Sequence, residues 1–141
     1  RENVAGAGQW RGGIGSIRSF ELLEDGAVSV EGDGQRFRPW GFAGGKDGSP
    51  ANVDLVHANG QSEALPSKIP YRPLSRGDRL VAYGPCGGGY GDPFARAPED
   101  VLDDVMDGLL QVDTAREEYG VAILDGCRLD RDATEKLRAG R

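Results

Sequence analysis

Two glycine-rich blocks carry the groups in this sequence that could bind an anion. Residues 10–15 read WRGGIG and residues 86–91 read CGGGYG. Glycine-lined backbone can point several N–H groups at one carboxylate or phosphate, and the planar guanidinium of Arg11 can add a bidentate contact. The candidate substrate- or anion-binding residues of these blocks are Arg11, Gly12, Gly13, Gly15, Gly87, Gly88, Gly89, Tyr90 and Gly91.

Both blocks also have a structural interpretation, and it is the favoured one. Neither block is a P-loop. No Gly-Lys-Ser/Thr follows the first block. The second block is separated by Pro93 and the residues after it from the helix that is predicted to begin at Pro98, whereas a phosphate loop leads directly into a helix. Arg11 can pair with a neighbouring carboxylate at a tight turn. Three successive glycines let the second block pass very close to another backbone segment.

A third block, residues 39–46, adds Trp40 and Lys46 as candidates for contact with a substrate. It reads PWGFAGGK, so two aromatic side chains and one lysine stand among small residues. Such a loop could cover a ligand. More often Trp40 and Phe42 would plug the end of a barrel with their rings.

The sequence predicts no metal site of its own. It holds one histidine, His57, and two cysteines, Cys86 and Cys127, in no CxxC arrangement, whereas structural zinc usually needs four such ligands. His57 is interpreted as a partly buried, hydrogen-bonding histidine before it is considered as a base. Cys86 is a weak candidate nucleophile, because no histidine lies near it in the sequence to activate it.

Composition and charge exclude several classes of function. The net charge is −6, and an acidic chain repels phosphate backbones, so nucleic acid is not an expected partner. No apolar run reaches the ~20 residues of a membrane span, and no signal segment opens the chain. We therefore expect a cytoplasmic protein. The start at Arg1 rather than Met suggests a processed, split or truncated product.

The first part of the chain, residues 1–93, is predicted to be a glycine-rich β domain. Glycine makes up 23 of the 141 residues, about twice the usual share of ~7%. Asp25-Gly26 predicts a hairpin between the first two strands, and Asn59-Gly60 predicts a second hairpin. Three prolines within residues 66–73 predict extended backbone outside a central strand position. The predicted strands are residues 14–23, 27–31, 53–58 and 79–83.

The last part, residues 94–141, is predicted to be a short helical appendage. Pro98 should begin the first helix, whose apolar residues 101, 102, 105, 106 and 109 form one stripe. We expect Asp113 to cap a second helix that ends at Gly120, then a short strand, and a final helix capped by Asp130. The fold class is thus mainly β, barrel-like or sandwich, with Gly/Pro-rich loops and a helical C-terminal segment. The acidic residues Asp103, Asp104 and Asp107 are expected on the solvated face of the first helix.

The three blocks, in their order and spacing, resemble the hydantoinase B/oxoprolinase family. The resemblance rests on GAG at residues 6–8 followed by RGGIG, on RPWGFAGGKDG at 38–48, on LPSK at 65–68, on RGDRL at 76–80 and on CGGGYGDP leading to Pro98. It continues through DVMDGL and AREEYGV in the last part. Cys86 stands where the first glycine of the last loop is usual, and Arg38 where a proline is common. Family subunits are several times longer, so the chain is similar to their C-terminal portion.

The resemblance implies a function within a larger assembly. Family members include ATP-dependent cyclic-amide hydrolases, such as N-methylhydantoinase and 5-oxoprolinase, and ATP-dependent acetone and acetophenone carboxylases. It implies a hydantoinase A-like partner that binds ATP and Mg²⁺, an upstream remainder of the B-type subunit, and a small-molecule substrate. The alternative is a non-catalytic subunit that only holds such a complex together.

Overall fold

The structure is a computed structural model that describes residues 1–125 and 127–140. Its contacts divide the chain into two compact units. Unit 1 contains residues 1–14, 39–49 and 86–141, and unit 2 contains residues 15–38 and 50–85. All three glycine-rich blocks except Gly15 therefore fall in unit 1, with the helices. The boundary predicted at residue 93 stays a prediction.

Unit 2 is an open two-layer β structure. Four strands form an antiparallel sheet in the order β1-β6-β3-β4, and β2 pairs with β5 in a second sheet. Leu55 of the larger sheet and Leu74 of the smaller one meet Leu65 in one buried cluster. The predicted β-rich fold is confirmed, and it is sandwich-like, because neither of these sheets closes into a barrel. The strands are β1 (Ile17–Glu21), β2 (Gly26–Glu31), β3 (Asn52–Val56), β4 (Ser62–Ala64), β5 (Lys68–Leu74) and β6 (Arg79–Tyr83).

The two predicted hairpins had different outcomes. Strands β3 and β4 pair across Asn59-Gly60, with Gly60 at φ 86°, so the second hairpin is confirmed. The first is wrong, because β1 pairs with β6 and β2 pairs with β5. Asp25 does not close a hairpin; its Oδ1 accepts the N–H of Arg76 at 2.8 Å, which ties this turn to the turn before β6.

The proline-rich segment forms β5 and is extended, as predicted. It pairs with β2 alone, so its prolines do not interrupt the four-stranded sheet. The pairing register shifts between Val28 and Val30, opposite Pro70, where a proline cannot donate to the ladder. The segment thus behaves as an edge strand with a bulge.

Unit 1 carries the helices α1 (Pro98–Met106), α2 (Val112–Tyr119) and α3 (Arg131–Ala139), and the strand pair β7 (Ala122–Leu124) and β8 (Arg128–Asp130). Val101 of the predicted apolar stripe is fully buried, and α1 packs around it with Tyr119 and Val121. Gly120 ends α2 in the left-handed region at φ 62°, as predicted. Asp130 caps α3 by accepting the N–H of Ala133 at 3.0 Å, also as predicted.

Two predictions about the helices are corrected. Gln111, not Asp113, is the N-cap of α2, and it makes no side-chain cap bond; Asp113 lies inside the first turn, where a carboxylate suits the helix dipole. Asp104 is not on the solvated face of α1, because it is 6% exposed. Its neighbours Asp103 and Asp107 are exposed, as expected.

Candidate functional site

The three glycine-rich blocks meet within unit 1, where residues 86–91 run beside both of the others. Tyr90 exchanges two backbone hydrogen bonds with Trp10, each 2.9 Å long. On the other side, Phe42 donates to the carbonyl of Gly89 at 2.9 Å and accepts from Gly91 at 3.0 Å. Tyr90 therefore forms a β-bridge with Trp10 and another with Phe42. We call this meeting of segments the glycine junction.

Glycine is required at the junction by how closely the backbones approach. A Cβ added to Gly12 would overlap the carbonyl of Gly87, and one added to Gly88 would overlap the carbonyl of Trp40. Gly13 differs, since a Cβ there would meet nothing within 4 Å. The predicted close crossing of the second block is thus present, and most of its glycines are explained by backbone packing.

The amides of the second block donate inside the protein. Gly87 donates to the carbonyl of Gly13 at 2.8 Å, and Gly89 donates to the carbonyl of Lys46 at 2.9 Å. Tyr90 and Gly91 donate to the first and third blocks in the same way. These four N–H groups therefore hold the junction together instead of pointing at an anion.

Arg11 takes part in a partly buried ion cluster around Asp104, which matches its structural interpretation. Its Nε lies 2.9 Å from Oδ2 of Asp104, and Nη2 of Arg96 lies 3.0 Å from the same oxygen. The exposed fractions of the side chains are 19%, 12% and 8% for Arg11, Arg96 and Asp104. Nη1 of Arg11 also donates to the carbonyl of Gly12 at 2.8 Å. The cluster ties the first block to α1 and to the segment that follows the second block.

A third arginine extends the cluster to the helices. Nη2 of Arg138 donates to the carbonyl of Arg96 at 2.9 Å and to that of Tyr119 at 3.1 Å. Burial lowers the pKa of Arg138 from its ordinary value and raises the pKa of Tyr119 to about 12. The phenol of Tyr119 therefore stays neutral at physiological pH.

Sequence reasoning missed Asp104 and Arg96 as members of this site. The sequence predicts Asp104 to be one of three solvated acids, and its helical spacing gives no reason to separate it from Asp103 and Asp107. Arg96 lies between CGGGYGDP and Pro98, in a stretch that resembles the hydantoinase B/oxoprolinase family. That position is the signal that could have identified it.

Aromatic rings cover the surface of the junction. Trp10, Phe42 and Tyr90 are each more than half exposed, and the rings of Phe42 and Tyr90 stack with centroids 5.9 Å apart. We call these three residues the aromatic face. Trp40 is also largely exposed. The expectation that Trp40 and Phe42 plug a barrel end is therefore wrong, since the described sheets form no closed barrel and both rings lie in solvent.

Lys46 lies beside the junction and remains accessible. Its Nζ is 3.3 Å from Oε1 of Glu118, and both side chains are partly exposed. Lys46 also joins the third block to the segment that precedes the first block, because its N–H donates to the carbonyl of Ala7 at 2.7 Å. Among the predicted substrate contacts, Trp40, Lys46 and Tyr90 are side chains that solvent reaches.

His57 sits in unit 2 between two carboxylates. Its Nε2 is 3.2 Å from Glu63, its Nδ1 is 3.5 Å from Asp78, and Glu63 is also bound by Arg72. Backbone N–H groups of Ser75 and Ala58 lower the pKa of Asp78 below its ordinary value. The prediction of a partly buried, hydrogen-bonded histidine is confirmed. His57, Asp78 and Ser75 also line a cavity of about 710 Å³.

Cys86 is fully buried, whereas Cys127 is exposed. Cys86 belongs to unit 1 and His57 to unit 2. Across residues 1–125 and 127–140, no group of three or more His, Cys, Asp or Glu side chains is placed to hold a metal ion. Over the same residues, no helix combines the length and apolar character that a membrane crossing needs.

The chain is similar to known proteins along its whole length. The profile of the hydantoinase B/oxoprolinase family matches residues 1–93. The B subunit of a putative D-/L-hydantoinase from Pseudomonas sp. (strain NS671) is 46% identical over 139 residues, which is 98% of this chain and 24% of that protein. The beta subunit of the caprolactamase from Pseudomonas jessenii is 37% identical over 141 residues, which is 95% of this chain and 24% of that protein.

Solved structures share the fold. The ATP-dependent caprolactamase of Pseudomonas jessenii matches with a TM-score of 0.74 and 33% identity, over 94% of this chain and 24% of that one. Nucleotide-free acetone carboxylase matches with a TM-score of 0.79 over 99% of this chain and 23% of that one, and at 21% identity it is evidence for the fold alone. The chain spans about a quarter of the length of the two curated relatives described above.

Proposed function

Because this chain belongs to the hydantoinase B/oxoprolinase family, we propose that it is part of the substrate-handling B-type subunit of an ATP-dependent cyclic-amide hydrolase or ketone carboxylase. The proposal is supported by relatives that are named as hydantoinase and caprolactamase subunits. A hydantoinase A-like partner would bind ATP with Mg²⁺. Phosphorylation of an amide or enolate oxygen would then supply the activation that either chemistry requires.

One observation carries the proposal: the glycine junction holds exposed aromatic side chains on a backbone with little freedom. Trp10 exchanges backbone hydrogen bonds with Tyr90, and Phe42 makes its backbone bonds to the glycines on either side of Tyr90. Side chains held this way lose little conformational entropy when they bind another surface or a substrate. Exposed aromatic residues on such a support are typical of binding surfaces.

Within this function, the accessible side chains are the proposed substrate contacts. Trp40 and Lys46 extend from the third block into solvent, and Tyr90 is exposed on the second block. Lys46 could neutralise a carboxylate or phosphate of the substrate, and the rings could cover its apolar part. Arg11 and the glycines would hold the backbone that carries these residues in place.

A second candidate is the assembly role, and the partly buried ion cluster favours it. Arg11 is bound to Asp104, and the N–H groups of Gly87, Gly89, Tyr90 and Gly91 are bound to other segments of unit 1. A region that is held together so extensively by its own groups can serve as a rigid docking element without touching a substrate. The two candidates differ at Trp40 and Lys46, whose side chains are exposed and therefore available to a substrate.

The first experiment is the native mass of the assembly purified through this chain, with each component identified by peptide mapping. We expect an upstream B-type portion and a large ATP-binding subunit. In that assembly, the double variant Trp40→Ala/Lys46→Ala should retain the native mass and lose ATP-dependent turnover if these residues contact substrate. Unchanged turnover would favour the assembly role, and a lone 15.0 kDa monomer would refute both.

A further inference from the structure

Strand β1 forms one end of the four-stranded sheet in unit 2, and among the described residues no strand pairs with its outer edge. Toward β6, Leu22 donates to the carbonyl of Asp78 and Gly84 donates to the carbonyl of Ser16. In an antiparallel ladder, hydrogen-bonded pairs recur at every second residue. The even-numbered residues of β1 therefore face β6, and the N–H and C=O groups of Ile17, Ser19 and Glu21 point outward.

The side chains of β1 are exposed to solvent, like the backbone groups of its outer edge. All five of its residues are exposed. Phe20 pairs with Leu80, and Leu80 pairs with the buried Leu55. Because paired residues share a face of the sheet, Phe20 lies on the inner face. Even so, 58% of Phe20 is exposed. Ile17 lies on the outer face and is 56% exposed. A strand with apolar residues open on both faces lacks the cover that a finished sandwich provides.

Among the residues that the structure describes, three other strands of unit 2 have an unpaired edge, and they differ from β1. Strand β2 has no proline either, but neither Val28 nor Val30 is among the large apolar side chains that lie exposed. Strand β4, at the opposite end of the same sheet, has only three residues and no large apolar side chain. Strand β5 carries Pro70 and Pro73, which cannot donate to another strand. Strand β1 has five residues and no proline, and it places two large apolar side chains at its edge. It is therefore the edge that favours strand addition.

We propose that the outer edge of β1 accepts a β-strand from the remainder of a B-type subunit, which continues the sheet and covers Phe20. This inference rests on the proposed function. The occupant is assigned to that remainder because relatives that match nearly all of this chain are about four times its length, as the chain spans 24% of them. The added strand would place an apolar side chain next to Phe20 on the inner face.

The test is amide hydrogen exchange of Ile17, Ser19 and Glu21, measured in the isolated 141-residue chain and in the native assembly. We expect rapid exchange in the isolated chain and exchange slowed by about 100-fold or more in the assembly, because edge amides gain partners only when a strand is added. Amides that face β6, such as that of Phe20, should be protected in both samples.

A substitution tests the same edge independently. The N–H of Ser19 points away from β6, so Ser19→Pro removes an outward donor while leaving the bonds to β6 in place. We expect Ser19→Pro to reduce recovery of the assembly about tenfold or more, with the amide of Phe20 still protected, and Ser19→Ala to assemble normally.

Each result decides the inference. If the assembly forms while Ile17, Ser19 and Glu21 exchange as fast as in the isolated chain, or if Ser19→Pro assembles normally, the inference is overturned and the proposed function stands. If protection rises with the concentration of the isolated chain alone, a second copy occupies the edge and the inference is overturned. If no assembly exists, the proposed function fails, and the inference fails with it.

Discussion

Nε of Arg11 lies 2.9 Å from Oδ2 of Asp104, although 93 residues separate them in the sequence. This contact changes how a substitution of Arg11 has to be interpreted. Loss of the guanidinium would disturb the junction itself, so a fall in turnover in Arg11→Ala would not separate substrate contact from assembly. Exposed positions such as Trp40 make that distinction.

The first prediction concerns Asp104→Ala. Removing the carboxylate leaves the partly buried Arg11 and Arg96 without their counter-charge, and we expect the free energy of unfolding to fall by about 3 kcal/mol, the lower end of the range for breaking a buried ion pair. Chemical denaturation followed by circular dichroism measures it. Asp103→Ala, one residue away and exposed, is the control and should change stability by less than about 0.5 kcal/mol. Equal effects of the two variants would refute the role of the cluster.

The second prediction concerns the close backbone approach at Gly88. The added methyl group of Gly88→Ala would overlap the carbonyl of Trp40, and we expect a loss of at least about 3 kcal/mol, the upper end for overpacking. Gly13→Ala is the matched control, because its Cβ would meet nothing within 4 Å. It should change the free energy of unfolding by no more than about 1 kcal/mol. A well-folded Gly88→Ala protein with unchanged stability would contradict the geometry.

The third prediction concerns the aromatic face. Phe42→Ala should leave the free energy of unfolding nearly unchanged, because the ring is mostly exposed, and should weaken association with the rest of the assembly by about tenfold. The dissociation constant can be read from tryptophan emission, since Trp10 of the aromatic face is exposed in this chain and its burial would move the emission to shorter wavelengths. Phe37→Ala, an exposed phenylalanine in unit 2, should bind like the unaltered chain. If the Phe42→Ala protein bound as tightly as the unaltered chain, the aromatic face would not be part of the interface.

The fourth prediction concerns pH. Backbone N–H groups of Ser75 and Ala58 hold the pKa of Asp78 below its ordinary value of 3.8. The folded chain therefore binds this proton less readily than the unfolded chain, so the stabilisation is complete above pH 3.8 and is lost as pH falls through the lowered pKa. Melting temperatures between roughly pH 2 and pH 7 measure it. Asp78→Asn should lose part of this acid dependence, whereas Asp33→Asn, at an exposed position, should keep it.

Local signals in the sequence predicted the elements well. Gly120 ended a helix, Asp130 capped the next one, and Asn59-Gly60 made a hairpin, because each of these depends on a few adjacent residues. The pairing of β1 with β6 could not be predicted this way, since the competing turn at Asp25-Gly26 was locally just as suitable. Only tertiary contacts could show that Asp25 binds Arg76 instead.

The same limit applies to the candidate site. The close approach of the second block to other backbone segments was predictable, because three successive glycines are seldom found where side chains could be accommodated. The buried role of Asp104 was not, because a helix surface with several acids gives no indication of which one faces an arginine more than ninety residues earlier. A residue whose role depends on partners far away in the sequence can be recognised only in the folded structure.

The glycine junction also determines when unit 1 can fold during synthesis. Its three segments begin near residues 6, 39 and 86, so two long loops must close before any of its hydrogen bonds form. The first two segments leave the ribosome before the third has emerged. Their glycine backbone and aromatic rings stay exposed until then. Unit 1 can therefore complete its junction only after residue 91 has left the ribosome, and an earlier pause would prolong the exposure of these segments to chaperones and proteases.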